Sequence, residues 1–156
     1  MIASKNMDMS WLHSVFDREL ISSTNTTIVC CDAREIPRFH ASALELARRH
    51  RHIVVDVANG EDPREALFRT VGRESNVAVA VEAHLKKTKR NLVVIIRDAA
   101  RFANDENGLA ILWALKSARD RVDPRLRLLF FGSERAALQT FVSPKSAPFL
   151  DSRVLP

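Results

Sequence analysis

His40, His50 and His52 are the imidazoles best placed to bind a metal. No cysteine or carboxylate set accompanies them at ligand spacing, so no metal site is expected. His50, beside Arg49 and Arg51 at the end of a helix, is better suited to meeting the helix dipole. Cys30 and Cys31 are adjacent, which strains a disulfide. They close the apolar run TTIVCC and read as small, inert core residues of a reduced, cytoplasmic protein. Asp32 lies near Glu35 and Asp56 near Glu61, the proximity a paired-acid mechanism needs, but acids beside loops are ordinary. No Ser-His-Asp or Cys-His set assembles by any local signature. The segments left to carry chemistry are DAREIPRFH (32–40), with Asp32, Arg34, Arg38, Phe39 and His40, and RDAARF (97–102), with Arg97, Asp98 and Arg101.

Both segments follow apolar runs. TTIVCC (26–31), HIVVDV (52–57), NLVVII (91–96) and LRLLFF (126–131) are short and rich in aliphatic residues, which predicts buried strands. Between them lie helical patterns. Leu44, Ala47 and Ala43 face inward on a helix whose outer face carries Arg48, Arg49 and Arg51. Pro63 suits the first position of the helix PREALFRTV. The stretch 75–90 has alternating Val77, Val79 and Val81, but its alanines and its basic tail favour a helix. The helix 105–122 presents Leu109, Leu112 and Trp113 on one apolar face and stops at Asp123-Pro124. SERAALQTF forms a short helix, and the proline-bearing tail from Val142 reads as loop. Ahead of the first strand, Trp11, Leu12, Val15, Phe16 and Leu20 make a helical stripe that either covers the sheet or contacts a partner.

The division is therefore an N-terminal amphipathic helix in 1–23 and a single α/β domain over 24–156. The fold class is α/β: a three-layer α/β/α sandwich around a mainly parallel sheet of four recognisable strands, with any fifth outside this chain. Ligands in such folds bind outside the carboxyl ends of the strands, at the loops beginning with Asp32, Ala58, Arg97 and Gly132.

NLVVIIRDAARF and LRLLFFGSERAAL, followed by SAPFLDSR, resemble the Walker B and sensor-1 regions of AAA+/STAND-type ATPases. The resemblance rests on order and spacing and covers residues 24–156. It implies a P-loop-NTPase-like fold with a phosphate loop at 32–40, magnesium-binding and water-orienting acids at 97–98, a polar sensor at Ser133, and contact arginines at Arg101 and Arg153. The diagnostic residues differ. Residues 32–40 contain no glycine, so the nest of inward N–H groups that cradles phosphate is hard to form, and Pro37 removes one donor. Phe39 stands where the lysine belongs and His40 where the Ser/Thr belongs. Arg97 replaces the metal-binding Asp, leaving Asp98 at the catalytic Glu position. The helical lid that follows in that superfamily is not expected within 24–156.

These substitutions predict a non-enzyme: an ATPase-like module without cofactor, working as an interaction or regulatory domain through a protein partner or self-association. Two other readings remain, a nucleotide-binding protein with an unconventional phosphate loop and a basic nucleic-acid-binding accessory protein. An unrelated α/β domain with look-alike strands is the bland counterpart.

Composition bounds these readings. The chain has 156 residues, 46% hydrophobic and 28% charged, with only 4 glycines, which fits one globular domain. It has no apolar run of about 18 residues, so no membrane span is expected, and MIASKNMDMSW has no secretory-leader pattern. A formal net charge of +5 favours contact with polyanions. Two clusters carry it, Arg48, Arg49 and Arg51 and then Lys86, Lys87, Lys89 and Arg90. Each follows a helix and precedes a strand, so both belong at the amino edge of the sheet. Dipole-matching at helix ends would explain them equally well.

Overall fold

The computed structural model describes residues 26–143, 147–150, 152 and 154–155. The stripe from Trp11 to Leu20 and the contact candidate Arg153 lie outside them. Strands β1 (Thr26–Cys30), β2 (Ile53–Val57), β3 (Leu92–Ile96), β4 (Leu126–Gly132) and β5 (Val154–Leu155) form one parallel sheet in the order β2-β3-β4-β1-β5. The fifth strand is thus within the chain, and the tail is not wholly loop. Val154 and Leu155 pair with Ile28 and Val29. Two residues are too few to show a strand pattern in sequence, and the neighbouring edge of β1 supplies what their own pattern lacks.

Helix α1 (Ile36–Arg49) links β1 to β2. Helices α2 (Pro63–Val71) and α3 (Val77–Leu85) link β2 to β3. A 3-10 turn (Ala99–Phe102) and α4 (Glu106–Val122) link β3 to β4, and α5 (Arg135–Gln139) follows β4. The chain leaves β1 for the far edge of the sheet and then works back. Right-handed crossovers therefore put α1 on one face and α2, α3 and α4 on the other. Two core clusters match this: Phe39, Ala43 and Ala47 pack with Val29, Ile95, Leu129 and Phe131, while the opposite face joins Leu67, Val81, Leu85 and Leu115 to Val94, Ile96 and Phe130.

Local signals explain the helix starts. Asp62 accepts from the N–H of Arg64 at 2.8 Å, with Pro63 just inside the helix. Asn76 accepts from Val79 N–H at 3.0 Å, which starts α3 and decides the ambiguous stretch for helix. Val77, Val81 and Leu85 then bury one stripe. Asp105 caps α4 through Asn107 N–H at 3.1 Å. On α4 the expected apolar face divides: Leu112 is buried, but Leu109 and Trp113 are 45% and 41% exposed. Helix α4 is turned so that Gly108, Ile111, Leu112 and Leu115 face the core, leaving that pair outside. No helix among the described residues is long and apolar enough to cross a membrane.

Candidate functional site: the carboxyl edge of the sheet

The connection leaving β1 passes over one face and that leaving β4 over the other. A parallel sheet opens its ligand crevice where neighbouring connections part in this way, outside the carboxyl ends of the two strands. Here Cys31 N–H still donates to Gly132 O at 2.9 Å, and the chain beyond Cys31 turns at once. Asp32 O accepts from Glu35 N–H at 2.8 Å, which closes a β-turn over 32–35. The Asp32 carboxylate accepts from the N–H of Arg34 at 2.9 Å and from its guanidinium at 3.2 and 3.1 Å. Arg34 bonding holds the Asp32 carboxyl down at about 2. Within this turn the N–H groups of Arg34 and Glu35 are therefore taken, by the Asp32 carboxylate and the Asp32 carbonyl respectively.

The rest of 32–40 serves packing. Phe39 is fully buried and stacks on Phe131 at 6.4 Å; burying such a side chain contributes about 1.5–3 kcal/mol. Its ring fills the interior where the resemblance places a phosphate-binding lysine. Arg38 pairs with Glu35 at 2.6 Å. His40 is buried and its Nε2 lies 2.8 Å from Asp56 Oδ1, tying α1 to the end of β2. Nothing in the sequence flags this pair, because the partners are sixteen residues apart on different elements.

At the end of β3, Asp98 accepts from Gly60 N–H at 2.9 Å and pairs with Arg101 Nε at 2.8 Å. Arg101 also donates to the carbonyl of Glu61. Both Asp98 and Arg101 side chains are only 28% exposed, so Arg101 is engaged within the molecule. Glu61 accepts from Arg69 and from Ala58 N–H, bonds that lower its carboxyl. Arg97 is half-buried with its Nε unbonded, and Ser133 is exposed beyond β4.

The structure therefore brings Asp32, Arg34, Arg38, His40, Arg97, Asp98, Arg101 and Ser133 to one edge. It also pairs the acids there with cations: Asp32 with Arg34, Glu35 with Arg38, Glu61 with Arg69, Asp98 with Arg101. A divalent cation would have to displace a guanidinium at each. Among the described residues, no group of three or more His, Cys, Asp or Glu side chains is arranged to hold a metal. Cys31 is buried, and burial pushes its thiol up to about 11, so it stays protonated and unreactive at neutral pH.

Clefts also open elsewhere among the described residues. One of about 340 Å3 lies between α2 and α3, lined by Arg64, Phe68, Asn76 and Val77; one of about 310 Å3 lies beside Phe102, Leu109, Leu112 and Thr140. Sequence reasoning also missed Arg119, which is buried on α4 and donates to Thr26 Oγ1 at 2.6 Å. It sits among charged residues in LKSARDRV, where no local pattern marks it as buried. Compared with protein-family models, with curated proteins and with solved structures, the chain matches none.

Proposed function

We propose that this chain is a non-catalytic, ATPase-like module that acts through contacts with another protein or a second copy of itself. The observation that carries this reading is the closed turn at 32–35, where the Asp32 carboxylate takes the Arg34 N–H and guanidinium and the Asp32 carbonyl takes the Glu35 N–H. Two further observations support it. Asp98 Oδ2 is held by the Gly60 N–H and Arg101, and Asp98 Oδ1 is buried. Leu109 and Trp113, one turn apart on α4, form an exposed apolar pair suited to a protein surface. The adjacent free thiols of Cys30 and Cys31 fit work in a reducing, cytoplasmic compartment.

Thermal melting with Mg-ATP, together with a phosphate-release assay, tests the non-catalytic half. No shift and no release are expected. Stabilisation approaching the ~2.7 kcal/mol due at a hundredfold excess over the dissociation constant would overturn it, as would turnover lost in Asp98→Asn. Sedimentation across protein concentration tests the contact half for self-association. Association that weakens in Leu109→Ser/Trp113→Ser supports a self-contact through α4, and association that does not weaken excludes that surface.

A further inference from the structure

The opposite end of the sheet concentrates cations. Arg48 and Arg49 end α1, and Arg51 leads into β2 with a left-handed φ of 57°. Lys86, Lys87, Lys89 and Arg90 fill the connection from α3 to β3. β2 and β3 are neighbours, with Ile53 opposite Leu92, so the two clusters emerge side by side. They are also fastened together. The Arg90 guanidinium donates to the carbonyls of Arg51 and His52 at 2.9 and 3.1 Å. Arg125, at the foot of β4, donates to the carbonyls of Leu85, Thr88 and Arg90 at 2.6, 2.7 and 2.8 Å.

Helix-dipole matching does not account for the cations that remain. The last carbonyls of α1 are met by the N–H groups of His50, Arg51 and His52, and those of α3 by Lys86, Lys87, Thr88 and Arg125. Nearby acids are also engaged: Glu45 holds Arg49 at 2.6 Å, and Glu82 holds Arg121 at 2.9 Å and Lys86 at 3.7 Å. Arg48, Arg51, Lys87 and Lys89 are exposed and have no ion pair among the described residues.

We infer that this amino-edge surface binds the phosphodiester backbone of duplex nucleic acid through Arg48, Arg51, Lys87 and Lys89, without reading bases. Latching by Arg90 and Arg125 holds the four on a fixed frame, which reduces the ordering cost of binding. Among the described residues the patch offers no exposed aromatic ring for stacking on unpaired bases. Among the described residues the exposed large apolar side chains, Leu109, Trp113 and Leu150, lie on α4 and beyond α5, so these residues give the patch nothing to insert into a lipid surface. The inference stands apart from nucleotide binding, because five-residue strands separate the two edges by about 17 Å.

Fluorescence anisotropy of the full chain with a mixed-sequence duplex of about 20 base pairs tests it. Four phosphate contacts predict that raising salt from 50 to 200 mM weakens binding by roughly 150-fold. The variants Arg48→Ala, Lys87→Ala and Lys89→Ala should each lower the log–log salt slope by about one. Lys87→Arg/Lys89→Arg should retain the slope, and Arg69→Ala and Arg135→Ala, charges at the other edge, should leave it unchanged. Melting curves of each variant separate lost contact from lost fold. Salt-independent binding, no binding at 50 mM, or equal losses from both edges would overturn the proposal. Equal affinity for phosphatidylserine vesicles, with the same dependence on the four residues, would overturn it in favour of a lipid surface.

Discussion

The carboxylate of Asp98, at the end of β3, accepts a 2.9 Å hydrogen bond from the backbone N–H of Gly60, in the loop that follows β2. That bond and the 2.8 Å pair with Arg101 convert the residue at the resemblance's catalytic position into a brace between two loops. Asp98→Ala removes both and should destabilise the fold by about 1–2 kcal/mol, lowering the melting temperature by several degrees. A melt of the purified variant checks this. Gly60 has φ 82°, so Gly60→Ala should cost about 1 kcal/mol through the backbone alone, although nothing lies near its added methyl.

Asp32 and Arg34 give a direct reading of the closed turn. Carboxyl NMR should place the Asp32 midpoint at about 2, and Arg34→Ala should return it toward the ordinary value of about 3.9. The folded value is depressed, so the contribution to stability is present above about pH 4 and is lost as pH falls toward 2. An Asp32 midpoint near 4 in the unmodified chain would mean that the turn is open in solution.

Cys31 behaves oppositely. Burial raises its thiol to about 11, so the associated stability is intact below about pH 8.5, the thiol's ordinary range, and is lost as pH rises toward 11. Cys31→Ala should remove this alkaline sensitivity. Alkylation of the folded chain with iodoacetamide at pH 7.5, read by peptide mass spectrometry, should leave Cys31 unmodified.

His40 and Asp56 join α1 to β2 at 2.8 Å. Asp56→Ala leaves the buried imidazole without that partner and should cost about 1–3 kcal/mol in denaturant unfolding, whereas Asp56→Asn keeps an acceptor and should cost less. Equal losses would show that the pair contributes through packing alone.

Gly108 allows α4 to lie against the 3-10 turn. A Cβ there would meet the Phe102 backbone, with the carbonyl oxygen at 2.5 Å. Backbone cannot swing aside as a side chain can, so Gly108→Ala should destabilise by about 1–3 kcal/mol despite alanine's better helix propensity. A melting temperature at or above that of the unmodified chain would show that the contact relaxes freely.

Four strands and the helices between them could be read from the residues, because runs such as LVVII and LRLLFF, and a start such as Pro63, act over a few neighbouring positions. So could the two ends of the sheet on which 32–40, 97–102 and the two basic clusters fall, since a parallel α/β order sends every strand-to-helix loop to one edge. Tertiary structure alone decided the rest. Val154 and Leu155 become a strand only because β1 offers an open edge. Leu109 and Trp113 stay outside because α4 rotates to seat Gly108 on Phe102. Arg90 and Arg125 turn from apparent surface cations into latches because carbonyls 35 to 40 residues away arrive beside them. Local pattern is set by short-range sterics and periodicity, whereas the partner of a long polar side chain is chosen by what folding brings within hydrogen-bond reach.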